Sequence, residues 1–94
     1  MEEATFRAVV LCQMLGSTTR FRILKLLARR RMTPGELCRA LKKSSSIISV
    51  QLAKLRNAGL VRFKREADGL LYWLKPAGLG QLIARLERYA SGLG

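Results

Sequence analysis

The sequence predicts a mainly α domain carrying one small β-hairpin, ordered helix, helix, helix, helix, strand, strand, helix (ααααββα). Three observations predict it. Apolar residues recur at helical spacing along most of the chain, then alternate over 60–65 and 70–75; the first pattern buries one stripe of a helix and the second one face of a strand. Turn chemistry separates the periodic stretches, at Gly16-Ser17, at Lys42-Lys43-Ser44-Ser45-Ser46, at Asn57-Ala58-Gly59 and at Asp68-Gly69. The 94 residues show no linker, repeat or low-complexity segment. They are expected to form a single domain, 1–94, with so little core that a partner subunit would help its stability.

Residues 33–59 read as two short helices joined by a tight polar turn. Thr33 and Glu36 have the spacing of a capping box, in which hydroxyl and carboxylate satisfy orphan amides at a helix start. Pro34 falls at the first helical position, where its missing N–H costs nothing. Leu37, Ala40 and Leu41 mark the buried face. The lysine–serine run breaks this helix, and Ser44 or Ser45 caps the next. Ile48, Leu52 and Leu55 follow at i, i+4 and i+7 as one buried stripe. Asn57 and Gly59 close the helix, since glycine takes the left-handed conformation freely.

The other face of this second helix carries Ser46, Ile47, Val50, Gln51 and Lys54. Side chains of that kind read base edges. Glutamine pairs bidentately with adenine, apolar groups meet the thymine methyl, and lysine takes guanine or phosphate. With Ser44, Ser45 and Ser49 they form the candidate double-stranded DNA contacts of a helix-turn-helix. An ordinary helical hairpin with a polar surface is the bland alternative.

Composition supports a polyanionic partner. There are 18 Lys+Arg against 6 Asp+Glu, a formal charge of +12, which points to nucleic acid or an acidic membrane surface. With 49% hydrophobic residues the chain is not a disordered basic tail. No apolar run approaches the roughly 20 residues that span a bilayer. The start Met1-Glu2-Glu3 lacks the basic region of a signal peptide. A cytoplasmic, nucleoid-associated protein with no membrane partner is therefore expected. Two cysteines and no histidine make neither a disulfide framework nor a self-sufficient zinc site.

The first helix, 4–15, leaves almost no polar face, with Phe6, Val9, Val10, Leu11, Met14 and Leu15 spread around it. A helix apolar all round must be buried all round. In so short a chain one side can pack on its own domain while the other needs a second copy. Cys12 on this helix is expected to be a small buried hydrophobe. Gly16 ends the helix, and Ser17 or Thr18 caps the next, Arg20 to Arg31, whose basic residues lie along the edges of an apolar body. Arg29, Arg30 and Arg31 can complement its C-terminus.

Asp68-Gly69 is a hairpin signal, because both residues tolerate positive φ. It joins the strands of a wing, 60–75. On alternation Val61, Phe63, Leu70, Tyr72 and Leu74 share the core side, while Arg62, Lys64 and Trp73 face outward. Arg62, Lys64 and Arg65 are the wing's candidate DNA contacts. Pro76 begins a last helix, 77–91, whose Leu79, Leu82, Ile83, Leu86, Tyr89 and Ala90 form a packing stripe. The helices 4–15 and 77–91 are the expected dimerisation elements.

Helix-turn-helix followed by a basic hairpin is a winged helix-turn-helix, and here a family resemblance appears. L-G-S-T-T-R-F-R-I-L-K-L-L resembles the opening L-x-D-P-T-R-L-R-I-L-x-L-L of the ArsR/SmtB family of dimeric repressors. E-L-C-R-A-L-K-K-S-S-S-I-I-S-V-Q-L-A-K-L-R-N-A-G-L-V resembles its D-L-x-x-A-L-x-x-S-Q-P-x-I-S-x-H-L-x-L-L-R-x-A-G-L-V. The wing K-R-E-A-D-G-L-L-Y-W-L resembles R-R-E-G-R-x-x-Y-Y-R-L. The resemblance covers Leu15 to Pro76. It implies a homodimer that represses by occupying an operator and leaves when an effector binds.

Departures from the family pattern limit the effector. Arsenic-type sensors of the family carry E-L-C-V-C-D-L-C before this helix. Aligned on Glu36-Leu37-Cys38, that pattern puts Thr33 and Gly35 where the paired thiolates would be, and only Cys38 matches. The family's zinc and nickel sites use histidines and carboxylates on the last helix, where this chain has Glu87 alone. Such a donor set holds no hard or borderline divalent ion, so no metal or cofactor is expected. Cys38 near a helix N-terminus and beside Arg39 is a candidate redox or effector thiol, Cys12 a weaker one. The family's histidine in the reading helix is Gln51 here.

The function expected is a sequence-specific DNA-binding transcriptional regulator, a repressor acting as a homodimer. One alternative is a sequence-tolerant architectural DNA-binding protein driven by charge. The other is a protein-interaction winged helix using Ile47, Val50 and Trp73. An enzyme is not expected, because no nucleophile–base pair or carboxylate constellation is present.

Overall fold

The second helix is the centre of the molecule. In the computed structural model, which describes residues 2–94, α1 (Glu3–Leu15), α2 (Thr18–Leu27), α3 (Pro34–Leu41) and α4 (Ser45–Asn57) precede a hairpin of β1 (Val61–Glu66) and β2 (Gly69–Leu74), and α5 (Leu79–Ser91) ends the chain. α2 packs against α1, α3, α4, α5 and β2. Its Ile23, Leu24 and Leu27 meet Leu37, Ile48, Leu52, Leu55, Val61 and Ile83 in one core. Burying each such side chain is worth about 1.5–3 kcal/mol, and the core draws on every element except α1.

α2 is shorter than expected, ending at Leu27 and not at Arg31. The reason is a backbone pairing. Met32 donates to the Tyr72 carbonyl at 3.1 Å and accepts from the Tyr72 amide at 2.8 Å, an antiparallel bridge that makes Met32 a third rung beside β2. A helix running through Arg31 could not present those groups. Arg29, Arg30 and Arg31 therefore lie beyond the helix, and Lys25 is the basic residue of its last turn.

α3 starts with both halves of its capping box formed and Pro34 in the first turn. Leu37 and Leu41 are buried, but Ala40 is exposed. It stands off the Leu37–Leu41 line, at the rim of a groove beside Phe21, Leu26 and Glu87. Lys42 takes the left-handed conformation, φ 56°, to turn the chain. Ser44 then caps α4, its hydroxyl accepting from the Ile47 amide at 3.2 Å. Gly59, φ 77°, sends the chain into β1.

The hairpin pairs Val61 with Leu74, Phe63 with Tyr72 and Glu66 with Gly69, leaving Ala67 and Asp68 as its two-residue loop. Only Gly69 of the expected Asp68-Gly69 pair has positive φ, at 121°. Pro76 does not begin the last helix either. Pro76 to Gly78 form a turn, and Gly78 in the left-handed region (φ 84°) caps α5 at Leu79.

α1 differs most from expectation. It has no buried residue, and Phe6 is 57% exposed in the single chain. Val10, Leu11, Met14 and Leu15 are half-buried. Cys12 is exposed, not buried, because it lies on the side of α1 turned away from the core. One chain covers only half of an all-apolar helix.

Candidate nucleic-acid interface

α4 has two faces with different tasks. Ile48, Leu52 and Leu55 anchor it to the core with at most 2% of their surface exposed. The opposite side presents Ser46, Ile47, Val50 and Lys54, all exposed, and Ser45 and Ser49 flank them. Ile47 is 45% and Val50 51% exposed, an uncommon use of β-branched apolar side chains on a small domain. The helix N-terminus carries orphan amides and the positive end of the helix dipole. Exposed Lys42 and Lys43 stand just before it. Sequence reasoning took these two lysines only as helix breakers; their place beside an N-terminus makes them further candidates for phosphate contact.

Gln51 is not simply an outward-facing reader. It is half-buried at the edge of the outer face, and its Oε1 accepts from the Arg20 guanidinium at 2.9 Å. Ser44 contributes a cap and stays exposed.

The wing is tied to this helix. The Arg56 guanidinium stands 5.4 Å from the Phe63 ring centre, which fixes the end of α4 against β1, and Phe63 in turn packs on Tyr72 with ring centres 5.2 Å apart. Arg62, Lys64 and Arg65 are exposed. Lys64 is paired with Glu66 at 3.2 Å, whereas Arg62 and Arg65 have no ion-pair partner among the described residues. Trp73 is half-buried, its ring covered by the Arg31 guanidinium at 4.4 Å.

Of the two thiols, Cys38 is half-buried and packs against the core, and Cys12 is exposed. No cluster of three or more metal-ligating side chains occurs among the described residues. No described helix is long and apolar enough to cross a membrane.

Comparison with known proteins agrees with this architecture. Residues 17–62 match the family model described as "Bacterial regulatory protein, arsR family". The chain is 35% identical over 88 residues to the transcriptional activator HlyU of Vibrio cholerae, covering 94% of this chain and 82% of the relative. The HlyU structure superposes with a TM-score of 0.87 over 95% of this chain and 97% of the other. The HTH-type transcriptional regulator KmtR of Mycobacterium tuberculosis is 38% identical over 71 residues; these span 76% of this chain but only 55% of KmtR. The structure of the transcriptional repressor BigR of Xylella fastidiosa has a TM-score of 0.86 at 26% identity, covering 95% of this chain and 91% of that one. A core, a reading helix and a wing in this order, with identity of this extent along nearly the whole chain, place it: the protein belongs to the arsR family of bacterial regulatory proteins.

Proposed function

We propose that the protein is a homodimeric, sequence-specific DNA-binding repressor, in which α4 enters the major groove and the wing grips the flanking backbone. The observation that carries this is the outer face of α4. Ile47 and Val50 stand exposed beside Ser46 and Lys54, with Lys42 and Lys43 at the helix start. Thymine methyls suit the first two, base acceptors the hydroxyl and ammonium, and phosphates the paired lysines. A formal charge of +12 supplies the attraction to the duplex. A place on the nucleoid, within the cytoplasm, goes with that reading. A protein-contact surface of Ile47, Val50 and Trp73 is less well supported, because Arg31 covers the Trp73 ring.

Dimerisation rests on α1 and α5. Phe6, Val9, Leu82, Leu86 and Tyr89 are exposed apolar side chains on these two helices, and an apolar groove of about 480 Å³ runs between them past Cys12, Leu15 and Phe21. A second copy would cover these surfaces and bring two reading helices to one duplex.

The test is selection from a random duplex pool, followed by binding across salt concentrations. A two-fold symmetric motif is expected, with a log–log salt slope of several units, as roughly 6–10 phosphates are neutralised. Arg62→Ala or Arg65→Ala should weaken all duplexes alike and lower that slope by about two, since each change occurs twice per dimer. Lys64→Ala should have a smaller effect, because Glu66 already holds part of its charge. Equal affinity for every duplex would overturn specific recognition in favour of architectural binding.

A further inference from the structure

The hairpin gains a third rung from the segment between α2 and α3, and its outer face carries a row of three side chains. Met32 bridges Tyr72 in the antiparallel sense, so Arg31, one residue earlier, falls opposite Trp73. Trp73 in turn pairs with Arg62 of β1. Successive side chains on a strand alternate between faces. Met32 and Tyr72 point into the core, 4% and 6% exposed, while Arg31, Trp73 and Arg62 share the opposite face. The two arginines stand on either side of the indole, about 10 Å apart at two strand spacings. The Arg31 guanidinium lies over the ring, 4.4 Å from its centre.

Arg30 shows how a neighbouring cation is neutralised, since it pairs with Glu36 at 3.1 Å. Among the described residues the side chain of Arg31 makes no ion pair and donates no hydrogen bond; only its backbone carbonyl accepts one, from Arg30. A cation over an aromatic face is held by the ring's quadrupole and not through its N–H groups. Trp73 thus places the guanidinium and leaves its donors free for an acceptor from outside the chain. Glu66, further along the hairpin, is already paired with Lys64. Two unneutralised arginines set this far apart suit a chain of phosphates better than one small anion, and Arg62 already belongs to the wing's contact set.

Resting on the DNA-binding reading above, we infer that Arg31, held in place by Trp73, binds backbone phosphate of the operator duplex, so that the contact runs from the wing across β2 onto the segment between α2 and α3. Trp73 is the positioning residue of this site. Its indole orders a long side chain before the duplex arrives, which lowers the entropy lost on binding.

The experiment uses the full-chain protein and the duplex obtained from selection, titrated across salt concentrations. Arg31→Ala should lower the log–log salt slope by about two, one phosphate per protomer. Arg22→Ala is the control, an exposed arginine lining the groove beside Glu87 of α5, and should leave the slope unchanged. Trp73→Leu keeps every charge but frees the guanidinium, so affinity should fall by about 5-fold or more, and Trp73→Phe should restore most of it. In the Arg31→Ala protein Trp73→Leu should add nothing. Trp73 is the single tryptophan, so its fluorescence reads this row alone, and the bound duplex should shield it from acrylamide. An unchanged slope in Arg31→Ala would overturn the inference, as would an equal fall in Arg22→Ala. So would a loss from Trp73→Leu that is the same with and without Arg31, which would mark the indole as a support of the hairpin only. If a polyglutamate peptide shields Trp73 and the duplex does not, the row serves an acidic protein segment and the inference falls. These results all leave DNA binding intact, whereas failure of the wild type to bind any duplex would overturn the regulator reading as well. If Trp73→Leu does not fold, Arg31→Ala against Arg22→Ala still decides.

Discussion

Glu36 accepts from the Thr33 amide at 2.9 Å and from the Arg30 guanidinium at 3.1 Å. The Thr33 backbone bond above all, and then Arg30, hold its carboxyl below the ordinary glutamate value of 4.5, against a smaller opposing effect of burial. Because the folded-state pKa is the lower one, the unfolded chain takes up the proton first as the pH falls. The carboxylate thus contributes stability above the ordinary value, and that contribution is lost as the pH drops through the folded-state value. Glu36→Gln removes the charge but keeps a group able to cap, so the urea midpoints of wild type and variant should converge between about pH 7 and about pH 3. A gap that stays constant would show that the charge plays no part. The capping box was legible in the sequence because its two residues lie three apart. The contact of Gln51 was not legible for the opposite reason, since its partner Arg20 is 31 positions away and no local pattern announces it. The buried stripe of α4 was legible too, and Leu52→Ala should cost about 2–5 kcal/mol in chemical denaturation, as expected for a leucine 2% exposed.

Elements were read correctly where periodicity governs them and misread at ends set by tertiary contact. The run of basic residues after Leu27 has helical character, yet the chain leaves the helix so that Met32 can pair with Tyr72. Pro34 does start α3, whereas Pro76 precedes a turn, and Gly78 with φ 84° sets the start of α5. A second glycine, Gly80, fixes how α5 lies on α2. A Cβ at Gly80 would stand 3.2 Å from the Ala28 Cβ, with the Ala28 backbone behind it and Leu74 Cδ1 at 3.9 Å. The close neighbour, Ala28 Cβ, is fixed to the backbone and cannot swing aside as the end of a long side chain could. Gly80→Val should therefore lower stability by about 1–3 kcal/mol through overpacking, even though valine is the better helix former. Denaturation would check this, and a gain in stability would show that the two helices can separate freely. The sequence offered no sign of this close approach, because a lone glycine on an amphipathic helix looks like any other small residue.

At the scale of the whole molecule, the single chain leaves two apolar surfaces and one basic one unmatched. The all-round apolar character of α1 was plain in the sequence, and so was the stripe of α5. What the sequence could not show is that α1 contributes nothing to the buried core and hangs from the domain by half-buried contacts of Leu11, Met14 and Leu15 and by the grip of Arg20 on its last turn. That arrangement lets the proposed interface be broken without breaking the fold. Phe6 and Leu86 are 57% and 38% exposed, so Phe6→Glu together with Leu86→Glu should leave the helical circular dichroism of the domain unchanged while placing like charges at the interface. Ultracentrifugation should show a monomer. A monomer carries one reading helix and one wing, so it neutralises half as many phosphates, and its log–log salt slope should fall to about half that of the dimer. Its preference for one base pair over another within a half-site should survive, because α4 and its contact with Arg20 lie within one chain. A variant that stays dimeric would remove α1 and α5 as the interface. A monomer with an undiminished salt slope would show instead that the dimer does not engage the duplex with both halves.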